Sequence, residues 1–334
     1  MYNPAHTETA DRERRGENPS PPLVSVVSLA YNRRENVLEL VRALRGQDYV
    51  NFETIIVDNN SGDGTADTVE SRYPDVRVLR CSHNFGMVSY NFGLEEARGE
   101  YILVIDDDGL PASSAWISRV VHRFESNPHL GAVACTVRMR DTGRVAYDSP
   151  QFLPSDHPKE GCQAASYNGT GAGLRAAALH EVGYYPFHFF RSWLELHLCT
   201  RLIEAGWEVR YFPSLEVWHS RPSGSTNRPV TYFGLRNYFW YVWTFYPWPV
   251  VLRETFRYLG YCLKLVAERE LSVSLLAKAW FDSCIGWPGV SSKRQPVSRE
   301  TIAYLHRVRG CENRHGLVPE YRPYVPVSGG LACY

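Results

Sequence analysis

Apolar positions in the first part of this chain come in two rhythms, short unbroken runs and longer stretches where they recur every three or four residues. Leu23 to Ala30 (LVSVVSLA), Phe52 to Val57 and Val76 to Leu79 are runs of strand length, suited to strands buried on both faces. Between the first two, Val37, Leu40, Val41 and Leu44 fall on one helical face that Gly46 ends. A second helical stretch follows the polar turn at residues 58 to 65, and a third follows His83-Asn84-Phe85-Gly86 and runs to Ala97 and Gly99. The alternation predicts an α/β fold with a mostly parallel sheet sandwiched by helices, its strand-end loops gathered along one edge. The run that organises the rest is Tyr101 to Gly109, YILVIDDDG, where four apolar residues lead straight into three carboxylates.

Beyond Pro111 the pattern predicts a helix over Trp116 to Phe124 and a strand over Val133 to Met139. Arg140 to Gly161, with Pro150, Pro154 and Pro158, reads as a loop-rich insertion facing an acceptor. Gly169-Thr170-Gly171-Ala172-Gly173 reads as a glycine-rich turn before a helix that ends at Val182. It is not a dinucleotide fingerprint, since the spacing is G-x-G-x-G and no clear strand enters it. Ser192 to Ala205 has a helical stripe of Leu194, Leu198, Leu202 and Ala205, with Glu195 on its flank and Gly206 after it. Val209 to Phe212 and Leu215 to Trp218 read as two short strands, with His219 next.

A chain of 334 residues with this pattern divides into a tail (1–22), an α/β domain (23–225), an aromatic-rich helical region (226–290) and a basic C-terminal tail (291–334). Met1 to Pro22 is polar, charged and without an apolar core, so it reads as a disordered tail and not a signal peptide. The eight cysteines are scattered without a C-x-x-C pair, as in a cytoplasmic protein with reduced thiols. A formal net charge of zero argues against a nucleic-acid partner. Tyr238 to Val251 (YFWYVWTFYPWPVV) is too short and too broken by proline to span a bilayer. It suits a helix in the interface at the inner face of the membrane, a homodimer contact or a buried helix, and Lys293 to Arg322 has the charge to favour anionic headgroups.

The chemistry concentrates at Asp106, Asp107 and Asp108. On an extended backbone Asp106 and Asp108 face one side and Asp107 the other, so the outer pair can hold one hard cation, Mn²⁺ or Mg²⁺. At Asp58-Asn59-Asn60-Ser61-Gly62-Asp63-Gly64-Thr65 an EF-hand fails, because Asp63 stands where Gly is needed and Val69 where Glu is needed. A carboxylate at that strand end suits a base N–H or a ribose hydroxyl, and Ser61, Asp63 or Thr65 suits a helix cap.

Taken in order, VSVVSLAYNR, IIVDNNSGDGT, NFGMVSYNFGLEEARGEYILVIDDDG, GTGAGL, EVG and LHLCTRLIEAGWEVRYFPSLEVWH resemble a family 2 glycosyltransferase of the GT-A fold, of rhamnosyltransferase-like flavour. The resemblance implies a Rossmann-like nucleotide-binding half, a nucleotide-sugar donor of UDP or dTDP type, and a saccharide or lipid-linked acceptor in cell-surface polysaccharide or glycoconjugate synthesis. It implies that Asp58 reads the base, that Asp106 lies near ribose and metal, and that Asp108 and His219 ligate the metal. Gly86, Asn91 and Gly93 would shape the nucleotide cleft, and Gly171 and Gly173 the sugar-phosphate pocket. Ala30, Tyr31, Asn32, Asn60, Asn84 and Asp107 complete the donor-binding set. The family's acidic E-D-x-D motif is here Leu194-Glu195-Leu196-His197, which makes Glu195 the general base of an inverting transfer.

Two other readings remain on the residues alone. A haloacid-dehalogenase-like phosphatase would use Asp106-Asp107-Asp108-Gly109 as D-x-D-G-T, although Leu110 replaces the Thr. A non-catalytic nucleotide-sugar-binding subunit would explain the degenerate motif at Glu195.

Overall fold

The computed structural model describes residues 20–145, 161–220 and 232–312; most of the N-terminal tail, most of the loop-rich insertion and the end of the basic tail lie outside them. Four strands, β1 (Val24–Ala30), β2 (Phe52–Asp58), β3 (Arg77–Arg80) and β4 (Tyr101–Val104), pair in parallel in the order β3-β2-β1-β4. They are joined by α1 (Arg34–Arg45), α2 (Thr65–Arg72) and α3 (Tyr90–Glu96), as the alternating pattern predicts.

Period two divides β4 between the two faces of the sheet. Tyr101, Leu103 and Ile105 pack with Leu40 and Leu44 of α1 and with Trp116, Val120 and Phe124 of α4 (Trp116–Glu125). Ile102 and Val104 face the opposite core, which holds Tyr90 and Leu94 of α3.

The sheet continues as a mixed one through β5 (Gly109–Pro111), β6 (Leu130–Met139), β7 (Cys162–Gln163), β8 (Ala172–Arg175) and β9 (Glu208–His219). The order is β3-β2-β1-β4-β8-β6-β9-β5, with β7 on β9. Two sequence expectations change here. The pair of short strands is the single β9, whose register against β6 slips between Cys135 and Thr136, so that Phe212 and Glu216 take successive places around Pro213. The glycine-rich turn is in part β8, a central strand antiparallel to both β4 and β6. Glycine has little intrinsic strand preference, and packing selects it: a Cβ on Gly173 would meet Val120, Phe124 and Leu103.

After α5 (Ala176–Val182) and α6 (Leu194–Glu204), α7 (Tyr232–Phe245), α8 (Trp248–Ala267), α9 (Val273–Ile285), α10 (Trp287–Ser291) and α11 (Arg299–Glu312) form the C-terminal helical region. Tyr238 to Phe245 are all buried, so this aromatic stretch is core and not an interfacial surface. One apolar cluster runs from β1 through α6 and α7 to α11.

Candidate active site

Because β1 pairs in parallel with β2 and β4, their C-terminal ends share one edge, with Ala30 opposite Asp58 and the acid cluster emerging beside them. Asp106 accepts hydrogen bonds from the Tyr90 hydroxyl (3.0 Å) and the Thr170 hydroxyl (2.8 Å). His219 reaches the same place because Gly109 pairs with it across β5 and β9, and its Nε2 is 3.2 Å from Asp108 Oδ1. Single ligand atoms of Asp106, Asp108 and His219 all lie within 4.8 Å of one another. Asp107 turns the other way, accepting from the Tyr31 amide (3.4 Å) and from Arg33 Nη1 (2.9 Å). The same guanidinium nitrogen also bonds Asp108.

Burial pushes Asp106 upward from the usual carboxylate range, and the charge of Asp108 adds to it. Asp107 is pushed up to about 7, mainly by burial, with Arg33 opposing and Asp108 and Asp106 adding. Burial acts on Asp108 too, but the hydrogen bond and charge of His219, with Arg33, hold it below the usual range. Two carboxylates and an imidazole this close hold protons unevenly and suit a divalent ion of the Mn²⁺ or Mg²⁺ kind.

At the β2 end, Asp58 accepts the Ser61 amide on Oδ2 (3.1 Å), while its buried Oδ1 has no hydrogen-bond partner among the described residues. An unsatisfied buried acceptor is unfavourable by about 1–3 kcal/mol, so a ligand N–H or hydroxyl there would be well received. Asn32 binds the Ser61 hydroxyl through its amide (3.0 Å) and the Gly62 amide through Oδ1 (2.7 Å), tying the β1 and β2 loops together. Asn32 and Asn60 both adopt left-handed backbone, with φ of 53° and 67°. Asn84 is engaged within the protein, accepting from Asn59 Nδ2 (2.9 Å) and the Gly86 amide (2.8 Å).

Several of the expected site residues are engaged within the protein. Asn91 uses its side chain on the backbone of Tyr185, donating to its carbonyl (2.9 Å) and accepting its amide (3.0 Å), which braces the fold. Gly93 lies against Val27 and Val57, Gly171 against Val217 and Gly173 against the core, and these protein atoms exclude a Cβ at each. Gly86 has φ of 76°, and a Cβ there would fall 2.4 Å from the Phe190 carbonyl oxygen. It is the neighbouring Gly169 that faces Glu195, with Oε1 3.1 Å from where its Cβ would stand.

Glu195 sits half-buried in the first turn of α6. Its charge acts on Tyr185, which also feels Asp106, and the Tyr185 and Tyr167 hydroxyls are 2.6 Å apart. Glu195 and the acid cluster therefore flank the same buried tyrosine.

Sequence reasoning missed Arg33, Tyr90, Thr170 and Asn59. Asn59 is a polar knot: its Oδ1 accepts the Phe85 amide and the Ser89 hydroxyl, and its Nδ2 reaches the Gly86 carbonyl. For Arg33 a signal existed, since a residue just past the end of β1 must neighbour the end of β4 in a parallel sheet.

Residues 25–183 match the family model described as Glycosyl transferase family 2. The chain carries a family 2 glycosyltransferase domain. Glycosyltransferase AglE of Haloferax volcanii is 27% identical over 214 residues, 61% of this chain and 69% of that protein. The stretches matched in the first curated relatives cover between 36% and 69% of those proteins' lengths. Among solved structures, the mannosyltransferase PcManGT of Pyrobaculum calidifontis, in complex with GDP-Man and Mn²⁺, aligns over 91% of each chain with a TM-score of 0.54 at 18% identity. Residues 1–349 of TarS from S. aureus, in complex with UDP-GlcNAc, align over 89% of each chain with a TM-score of 0.58 at 16% identity. These likenesses establish a GT-A-type fold for the sheet and its helices.

Proposed function

We propose that the protein is an inverting, metal-dependent glycosyltransferase that moves a sugar from a nucleotide-sugar donor to a hydroxyl of a saccharide or lipid-linked acceptor in cell-surface polysaccharide synthesis. The observation that carries this is the convergence of Asp106, Asp108 and His219 at the strand-end edge of a family 2 domain. The unpartnered Oδ1 of Asp58 on the same edge supports a nucleobase contact. Asp106, Asp108 and His219 would hold the cation, which supplies positive charge opposite the leaving diphosphate. GDP-Man with Mn²⁺ and UDP-GlcNAc in the two structural neighbours support a donor of this class.

In the proposed reaction Glu195 takes the proton of the acceptor hydroxyl as that oxygen bonds to the anomeric carbon, and the bond from that carbon to the diphosphate breaks. Tyr90 and Thr170 keep Asp106 oriented, and Arg33 offsets the charge of Asp107 and Asp108. The reading includes a cytoplasmic enzyme at the inner face of the membrane; no described helix is long and apolar enough to cross one. The phosphatase reading gains nothing, since Leu110 is a strand residue paired with Trp218.

Calorimetry with UDP-, dTDP- and GDP-sugars, with Mn²⁺, Mg²⁺ or neither, tests the proposal. Metal-dependent binding of one donor, followed by product of opposite anomeric configuration, is expected. Binding without turnover across a broad acceptor panel would instead favour the non-catalytic subunit, and no metal-dependent binding at all would sink both.

A further inference from the structure

Eleven large apolar side chains stand exposed among the described residues, and seven of them are on α8 and α9: Trp248, Leu252, Phe256, Leu263, Val273, Phe281 and Ile285, each more than half exposed. That concentration needs an explanation, because scattered exposed apolar residues are ordinary but a helix-long stripe is not. At about 100° per residue, Trp248, Leu252, Phe256, Leu259 and Leu263 fall in one arc of α8. The adjoining face, with Val251, Thr255, Tyr258, Cys262 and Leu265, is buried. On α9 the outward positions Val273, Ala277, Phe281, Cys284 and Ile285 make a second such stripe.

The two helices run antiparallel. Trp248 at the start of α8 lies 5.6 Å, ring to ring, from Trp287 just past the end of α9, while a short turn joins their other ends. Arg253, Arg257 and Lys264 line one flank of the α8 stripe, and Lys278 stands beside that of α9. The acid within α8, Glu254, is buried under Arg253 and Arg257, and Asp282 of α9 is bound to Lys278 and Tyr232. Of the acids in the connecting turn, Glu268 pairs with Lys264 (3.7 Å) and Glu270 is exposed; both lie away from Trp248, whose ring carries the Arg294 guanidinium at 4.2 Å.

We propose that this face seats the protein on an anionic lipid surface, with α8 and α9 lying in the headgroup layer and their stripes turned toward the acyl chains. Amphipathic helices with a basic flank and Trp, Phe and Leu on the apolar side bind in this manner. Charge decides between a bilayer and a second copy of the chain. Glu254 balances only one of Arg253 and Arg257, so a two-fold contact through α8 would bring that excess positive charge near its own copy, with no exposed acid on the helix to receive it. Anionic headgroups supply the missing charge. Of the contact expected at Tyr238 to Val251, the part from Tyr238 to Phe245 is core and Trp248 belongs to the new face, and the contact stands apart from the sugar chemistry because it needs neither donor nor metal.

Vesicle flotation of the full chain tests it, comparing phosphatidylcholine vesicles with and without phosphatidylglycerol. The protein should float with the anionic vesicles at low salt and less so at high salt. The double variant Phe256→Glu/Phe281→Glu should stay below while keeping its unfolding temperature. Lys264→Gln should lower partitioning about fivefold, the factor for about 1 kcal/mol per basic side chain near an anionic surface. Failure of the wild type to float, or equal flotation on neutral vesicles and in the double variant, would overturn the proposal. So would a dimeric mass by light scattering that Phe256→Glu converts to a monomer, which would give the face to a second copy.

Discussion

Asp108→Asn keeps the size of the side chain and removes the charge that faces His219 and Arg33. Even a supporting contact to a metal ligand is worth about 10- to 100-fold in affinity, so metal-dependent donor binding should fall by roughly 100-fold or more. The apo fold should lose a little stability at neutral pH, because His219 and Arg33 hold the Asp108 carboxyl below the usual range and its charge is therefore favoured in the folded state. Calorimetry and a thermal melt of the apo protein read the two effects separately, and unchanged metal-dependent affinity would remove Asp108 from the ligand set. Glu195→Gln should behave in the opposite manner, leaving donor binding intact while turnover drops by about 10² to 10⁴, the range for losing a general base. That is roughly 3 to 5 kcal/mol of barrier, too much for a repacked helix flank. Near-normal turnover in this variant would move the base elsewhere, with Asp141 a described candidate and Asp148 and Asp156 outside the described residues.

Among the elements, the segment leading into α6 is held from outside the sheet. Phe190, Ser192 and Trp193 all have left-handed backbone, a conformation non-glycine residues rarely hold without support. The support comes from α7: fully buried Asn237 donates to the carbonyls of Phe189 (2.9 Å), Arg191 (2.6 Å) and Ser192 (3.2 Å), and Trp193 donates to the Gly234 carbonyl (3.0 Å). Asn237→Ala should therefore destabilise by about 1–3 kcal/mol and lower kcat by roughly tenfold or more through misplacement of Glu195. Donor affinity should hold, and an unchanged kcat in the folded variant would make Asn237 merely structural.

At the far edge of the sheet, Glu53 of β2 accepts from Ser25 of β1 (2.8 Å), from the Arg98 amide and guanidinium before β4, and from Arg77 of β3 (3.3 Å). Burial opposes its ionisation, but these bonds outweigh it and hold the carboxyl at about 2, from 4.5. A depressed carboxylate contributes stability that is present above about pH 4.5 and lost as pH falls toward 2. A shift of this size is worth about 3 kcal/mol, reduced to roughly 1–2 by the solvent around Arg98. Glu53→Gln should lower the melting temperature at pH 7 and make little difference at pH 2; an equal loss at both would show that shape, not charge, matters there.

Over the whole molecule, the sheet and the C-terminal helices share one apolar core. Trp193, just before α6, packs on Tyr238 and Tyr241 of α7 at 5.3 and 5.4 Å between ring centres, and His197 of α6 on Phe245 at 4.6 Å. A chain ending at residue 225 should thus lose cooperative unfolding and expose this aromatic cluster. Cooperative melting of that fragment with full donor affinity would show the helices to be dispensable.

Much of this was legible in the chain because it depends on local pattern plus one topological rule. Short apolar runs alternating with helical stripes specify a βαβ half, and parallel strands bring their ends to one edge, so Asp58 and the YILVIDDDG cluster had to meet. What the tertiary structure decided is what depends on neighbours distant in sequence. Arg33 is the partner of Asp107 and Asp108 because β1 happens to abut β4, and Gly173 stands in β8 because a Cβ there would meet Leu103 of β4 and the side chains of Val120 and Phe124 above it. The apolar residues of α7, α8 and α9 read alike in the chain, yet α7 is enclosed and its neighbours are half bare. Hydropathy records how much a residue favours leaving water, and only the packing of the other elements determines whether anything is there to cover it.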